Sequence, residues 1–250
     1  DGDFPICNAE KGYADVLLTF MEPNAGLIAS LCAGDSPNSI PSKAALTWTD
    51  GTREEFHGKS AHSSEPNEGN NAILRLAGAL AGRGHTFNFV RFLNDFASDE
   101  DLCPALRIDD GSDYIGRDRV GRTTACPTVL SAVGGEVRLN LNIRQKFGVD
   151  REDILTAVNG YCAQYGFTAH MLPGYLPGTM VSTATEPLRI MKEVYEEYGY
   201  KAEFVASAGT SYAKAMPNFV SWGPVFRTDP NCFHSENERL SLNTLIVASK

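Results

Sequence analysis

The sequence predicts an α/β protein. Its larger part is a ferredoxin-like layer, an antiparallel sheet covered by two main helices, and the rest is a piece of a second unit in which strands and helices alternate. Three observations carry this prediction. Residues 136–144 alternate, with Val137, Leu139, Leu141 and Ile143 on one face and polar residues ending in Arg144 on the other. A hairpin followed by an apolar-striped helix occurs twice, the order of a split βαβ unit. From Ser182 onward the texture changes to helix, short strand, glycine turn and strand.

The first hairpin runs from a strand over 44–49 through Asp50-Gly51 into a strand near 53–57. Its helix carries the stripe Ala72, Ile73, Leu76, Ala77 and Leu80 and ends at Gly82 or Gly84. Residues 107–122 are polar and turn-rich and read as an exposed connection. The second hairpin joins a strand over 128–133 to the alternating segment through Gly134-Gly135. Asp150 then caps a helix with the stripe Ile154, Leu155, Val158, Tyr161 and Cys162, closed by Gly166, and a strand over 167–172 follows. Residues 173–181, with Pro173, Gly174, Pro177 and Gly178, make a hinge.

Beyond the hinge, Thr185 caps a helix with Pro187 in its first turn. Its stripe is Leu188, Met191, Val194, Tyr195 and Tyr198, and Gly199 stops it. A strand near 203–206 leads into Gly209-Thr210-Ser211-Tyr212. An apolar strand over 219–226 precedes the loop around Asn231-Cys232-Phe233-His234. The chain opens without methionine on a polar turn, and 240–250 reads as a helix cut off early. The expectation is an excerpt of a longer protein.

With 22 basic and 31 acidic residues the net charge is −9, and no basic stripe occurs, which excludes nucleic acid and anionic membrane as expected partners. No apolar run approaches the ~18 residues of a membrane span. Asp1-Gly2-Asp3 does not look like a signal peptide. Six cysteines without C-x-x-C spacing argue against a zinc knuckle or redox pair and read as free thiols of a cytoplasmic protein.

The most informative residue is His62, presented in Gly58-Lys59-Ser60-Ala61-His62-Ser63-Ser64-Glu65-Pro66 on a turn of small residues before an apolar helix. His234 follows a strand, where ligands of α/β sheets bind, and is a candidate metal ligand or base. Asp1, before a strand, is a candidate cation ligand. Arg144 ends a strand on its polar face, and its planar fork suits a carboxylate. Asn38 sits between prolines in a rigid turn. Gly209-Thr210 means nothing unaided, and the pairs Glu54-Glu55 and Glu196-Glu197 read as solvated.

Together these segments resemble the co-catalytic zinc peptidases that include carnosinase, aminoacylase and succinyl-diaminopimelate desuccinylase, its bacterial dipeptidases most of all. The similar stretches are Asp1-Gly2-Asp3-Phe4-Pro5 through Glu10-Lys11-Gly12, 38–41, 58–72, Asn142-Ile143-Arg144, Gly209-Thr210 to Pro217-Asn218, and His234 through Asn237-Glu238. They occur in the family's order along nearly the whole chain and match its C-terminal two-thirds. The resemblance implies a ferredoxin-like lid, residues 14–181, of the dimerisation type, inserted in part of a catalytic domain, residues 1–13 and 182–250.

By the same resemblance Asp1 and His234 are terminal ligands of the two zinc ions. His62 stabilises the tetrahedral oxyanion, with Asn38 a second contact near it. Arg144 grips the free carboxylate of a dipeptide, and Gly209 is a backbone contact beside the substrate. The implied function is hydrolysis of a dipeptide or short peptide. The family's remaining metal ligands and its general-base glutamate lie upstream of the position of Asp1. The chain as given is therefore expected to bind no catalytic zinc and to be inactive alone. Two other readings stay open, an N-acyl amino acid deacylase with the same site and a non-catalytic binding or dimerisation module. Relatives dimerise through this layer, whereas an extended lid can close the site within one chain, so both a monomer and a homodimer are compatible. The stretch between Trp48 and Phe56 is shorter than in the dipeptidases with such a lid.

Overall fold

A computed structural model describes residues 6–22, 24–95, 101–133, 135–226, 229, 237 and 239–250. In chain order the strands are β1 (Ile6–Glu10), β2 (Ala14–Met21), β3 (Ile28–Ala33), β4 (Lys43–Trp48), β5 (Arg53–His57), β6 (Tyr114–Ile115), β7 (Asp118–Arg119), β8 (Thr124–Val133), β9 (Glu136–Arg144), β10 (Phe167–Met171), β11 (Thr179–Met180) and β12 (Phe204–Ser207). The helices are α1 (Ala72–Gly82), α2 (Asn88–Asn94), α3 (Cys103–Leu106), α4 (Arg151–Cys162), α5 (Glu186–Glu197) and α6 (Leu242–Ala248).

Seven strands form one sheet in the order β10-β2-β9-β8-β3-β4-β5, with every neighbouring pair antiparallel. Alternation dictates its faces. In β2 and β9, Val16 lies opposite Leu141, Leu18 opposite Leu139 and Phe20 opposite Val137, and all six are buried. Against this face pack Ile73, Leu76 and Leu80 of α1, Phe89 and Phe92 of α2, and Ile154 and Val158 of α4. Each such side chain contributes about 1.5–3 kcal/mol over its exposed state.

The expected hairpins form. Val133 pairs with Glu136, and Gly135, at φ +90°, takes the left-handed conformation the turn needs. Asp150 caps α4 in a reciprocal capping box with Asp153, both bonds 2.9 Å. A third helix, α2, joins the two expected ones. Its first amides are held by Glu22, which accepts from Asn88 N at 2.7 Å and Phe89 N at 2.8 Å. The fold class thus stands as predicted, with more strands in the layer than the two hairpins supply.

A second, three-stranded sheet has the order β11-β1-β12, with β1 and β12 parallel. Three expectations are corrected here. Residues 107–122 contain the hairpin β6–β7, and Asp118 is buried, accepting from Ser182 Oγ at 2.8 Å, Thr183 N at 3.0 Å and the Thr183 hydroxyl. The segment is therefore docked rather than simply exposed. No strand forms over 219–226. Ser221 exchanges backbone bonds with Cys7 as an isolated bridge, and Pro224, which has no N–H, cannot continue a ladder. In α5 the stripe is buried at Leu188 and Tyr195, while Val194 and Tyr198 are exposed. Among the described residues no helix is long and apolar enough to cross a membrane.

Candidate active site

The side of the seven-stranded sheet away from the helices carries the polar residues of β2 and β9. Where β9 ends, Asn140, Asn142 and Arg144 are buried together with Asp15 of β2. A buried charge needs a partner, and the pairing of β2 with β9 provides it. Asp15 Oδ1 accepts from Asn142 Nδ2 at 2.9 Å and Asn140 Nδ2 at 3.1 Å, and its other oxygen accepts from the Tyr13 hydroxyl. Arg144 Nε donates to Asn142 Oδ1 at 3.0 Å. Its guanidinium carbon lies 4.8 Å from the centroid of the Tyr13 ring, a cation–π contact.

Burial draws Arg144 down from its ordinary pKa, while Tyr13 and Asp15 pull it back up. The guanidinium stays charged at any physiological pH. Burial and the bond to Asp15 push the Tyr13 hydroxyl up to about 12. Among the described residues no carboxylate pairs directly with Arg144, so the guanidinium has no ion-pair partner within bonding distance.

The loop bearing His62 is clamped by backbone bonds. Gly58 N donates to Ser42 O at 2.8 Å, Lys59 and Asn70 exchange bonds of 2.8 and 2.9 Å, and Ile40 N donates to Ala61 O at 2.9 Å. Gly58 is required here because a Cβ would stand 1.9 Å from the Asn70 carbonyl oxygen. The Asn38 and His62 turns meet, with Ser63 N donating to Asn38 O at 3.0 Å and a bridge between Ser39 and His62. Both Asn38 and His62 are exposed. Asn38 Oδ1 accepts from the Ser36 hydroxyl. His62 Nδ1 accepts from Ser64 N at 3.2 Å and lies 2.6 Å from Ser64 Oγ. An accepting Nδ1 puts the proton of the neutral ring on Nε2, which makes Nε2–H a donor.

Ser63 Oγ donates to Asn142 Oδ1 at 2.7 Å, the same oxygen that Arg144 Nε reaches. The structure therefore brings Asn38, His62 and Arg144 into one connected group within one chain. Gly209 lies on the neighbouring segment after β12, its N–H donating to Ser207 Oγ at 3.0 Å. That segment is fixed to β1, since Ser211 donates its N–H to Glu10 Oε2 at 2.9 Å and its hydroxyl to the other oxygen. Lys214 closes the join by donating to the carbonyls of Lys11 at 2.8 Å and Pro177 at 3.0 Å. Burial lowers the Lys214 pKa, opposed by Glu10.

Asp1 and His234 lie outside the described residues. Among the described residues no three His, Cys, Asp or Glu side chains come together as a metal ion would need, and Glu10, at the end of the strand after Asp1, is engaged by Ser211. The described residues alone do not make a metal centre.

Sequence reasoning missed Tyr13, Asp15, Ser63 and Asn142 as parts of the site. The one available signal was the pair of asparagines on the polar side of an otherwise apolar strand, since a buried amide needs an assigned partner.

Three comparisons bear on this arrangement. Residues 51–170 match the family described as the peptidase dimerisation domain, that of the M20 peptidases. The resemblance read from the motifs holds at that level. A relative described as “Putative dipeptidase YtjP”, from Bacillus subtilis (strain 168), is 26% identical over 290 aligned residues, covering 98% of this chain and 59% of the relative. “Putative dipeptidase SSP1012” from Staphylococcus saprophyticus is 23% identical over 195 residues, covering 77% of this chain and 41% of the relative. The chain thus spans less than two thirds of the length of the curated relatives it matches. The crystal structure of aminoacylhistidine dipeptidase from Vibrio alginolyticus superposes with a TM-score of 0.56 at 15% identity, covering 99% of this chain and 61% of that one. That likeness is one of fold.

Proposed function

We propose that the chain is the lid and C-terminal part of a zinc-dependent dipeptidase acting on short peptides with a free C-terminal carboxylate. The observation that carries this reading is Arg144. It is a buried guanidinium without a carboxylate partner among the described residues, joined through Asn142 to the loop of His62. A peptide's terminal carboxylate is the natural occupant of such a fork. Nε2–H of His62 and the side-chain amide of Asn38 are donors of the kind that stabilise a developing oxyanion, and the glycine backbone at Gly209 would contact the substrate. Two curated relatives described as putative dipeptidases support the substrate class.

In this reading residues 14–181 are the lid and residues 1–13 with 182–250 are part of the catalytic domain. The parallel pairing of β1 with β12, outside the seven-stranded sheet, supports the division, while β11 at residues 179–180 joins β1 just before the boundary at 182. Two zinc ions per complete site, with Asp1 and His234 among their ligands, follow from the resemblance. Titration of the chain with zinc tests the expectation that it holds no catalytic metal by itself, and a tight two-metal stoichiometry would overturn it. The dimerisation-domain match supports a homodimer, while the placement of Asn38, His62 and Arg144 in one chain supports a monomeric site; sedimentation decides between them. The thiols of Cys32 and Cys103 suit a reducing cytoplasm.

The test of substrate class is binding of L-alanyl-L-alanine against its C-terminal amide, in the wild type and in Arg144→Met. Preference for the free acid, lost in the variant, is expected. Equal binding of acid and amide would overturn the role of Arg144. Stronger binding of N-acetyl-alanine than of the dipeptide would favour the deacylase reading.

A further inference from the structure

Asn142 is buried, and each of its polar atoms is engaged. Its Oδ1 accepts from Arg144 Nε at 3.0 Å and from Ser63 Oγ at 2.7 Å, and its Nδ2 donates to Asp15 Oδ1 at 2.9 Å. The amide therefore stands between the Asp15 carboxylate and the Arg144 guanidinium. Asp15 is spent elsewhere, on Asn140, Asn142 and Tyr13. A carboxylate set directly against Arg144 would form a bidentate pair and compete with any ligand for the fork. A neutral amide oxygen orients the guanidinium through Nε without occupying its two terminal nitrogens.

The second bond to Asn142 Oδ1 comes from the residue next to His62. Ser63 is fully buried, and its neighbour Ser64 carries the imidazole's Nδ1 contact. A shift of the guanidinium toward a captured carboxylate moves a shared acceptor, and Ser63 is the other group held by that acceptor. With both of its polar atoms bonded, Asn142 cannot shift toward Arg144 without drawing on Ser63 and Asp15.

We propose that Asn142 is a positioning residue with two effects: it keeps the Arg144 fork open for a carboxylate, and through Ser63 it ties occupancy of that fork to the setting of the His62 ring. The proposal rests on the assignment of Arg144 to a peptide carboxylate. It makes the free terminus a condition for setting His62 as well as a source of affinity.

The test uses L-alanyl-L-alanine and L-alanyl-L-alaninamide, with affinity read by calorimetry and the His62 ring read by its nitrogen chemical shifts. In the wild type the free acid binds more tightly and moves the His62 ring resonances. In Asn142→Asp, which has nearly the same shape, the new carboxylate claims the fork and the preference for the free acid falls by about tenfold or more, a loss on the scale of a displaced ion pair. In Ser63→Ala the His62 resonances no longer respond to the free acid, and Ser63→Thr restores the response. A merely structural bond would lower stability and leave that response in place. If Asn142→Asp does not fold, the Ser63 pair decides alone. An unchanged acid preference in Asn142→Asp, or an intact His62 response in Ser63→Ala, overturns the proposal and leaves the role of Arg144 standing. A wild type that binds acid and amide alike overturns both.

Discussion

Arg144 lies over the face of Tyr13, and the hydroxyl of that same tyrosine is bonded to Asp15. One aromatic residue thus supports the cation with its ring and the anion with its edge. Replacement by phenylalanine keeps the ring and removes the bond, whereas leucine removes both. Tyr13→Phe is expected to hold L-alanyl-L-alanine about as well as the wild type. Tyr13→Leu is expected to lose about 1–2 kcal/mol of affinity, the scale of a desolvated cation–π contact. Calorimetry on the two variants checks this, and equal affinities would show that the ring does not hold the guanidinium.

His62→Ala in the complete enzyme is expected to lower turnover of a dipeptide by about two to three orders of magnitude, the effect of losing one oxyanion donor. Binding through Arg144 should persist. Steady-state kinetics on the full-length protein reads both quantities, and a rate near that of the wild type rejects the role of His62.

Gly58→Ala places a methyl group 1.9 Å from the carbonyl oxygen of Asn70, a position without room. The paired bonds between Lys59 and Asn70 must open, at a cost of about 1–3 kcal/mol for overpacking. Urea unfolding should show the loss, and limited proteolysis should cut within residues 59–70. Resistance to protease equal to that of the wild type would contradict the clamp.

Asp118 joins β7 to Ser182 and Thr183. Its burial pushes the carboxyl pKa up, but the bonds from Thr183 and Ser182 outweigh this and hold it below the ordinary carboxylate value. The folded pKa lies below the unfolded one, so the stabilisation is complete above the ordinary value of about 3.9 and is lost as pH falls through the depressed folded value. Asp118→Asn should lower stability at neutral pH by about 1–3 kcal/mol and flatten the acid limb of the unfolding profile. Thermal melts from neutral pH down through the carboxylate range measure it, and superimposable acid limbs would remove Asp118 from the account.

Phe92 packs against Phe20, Tyr165 and Phe167 at centroid distances of 5.6, 5.7 and 5.2 Å. Phe92→Ala is expected to cost about 3–5 kcal/mol in denaturant unfolding, because Phe20 of β2, Phe167 of β10 and Tyr165 all lose the same partner.

The sheet was legible where one strand carried the pattern by itself. Residues 136–144 alternate cleanly, so the faces of β9 and the place of Arg144 followed from sequence. In β2, Leu17 interrupts the alternation of Val16, Leu18 and Phe20, and the strand is recognised only by its pairing with β9. The partners of Arg144 were hidden for the same reason. Asp15 and Asn142 are 127 residues apart in sequence, and only the β2–β9 register makes them neighbours. His62 was legible because a short run of small residues presents it locally. Its link to Arg144 was not, since it passes through a serine and an asparagine on different elements. The apolar run 219–226 misled because apolar content does not supply the N–H that Pro224 lacks.

The bond from Ser63 to Asn142 is intramolecular, so the link between the His62 loop and Arg144 needs no second chain. Groups brought together by one folded chain meet at an effective concentration that does not depend on how much protein is present. Dilution leaves the His62 loop joined to Arg144 through Asn142. A fall in dipeptide affinity on dilution would therefore have to arise outside this pair.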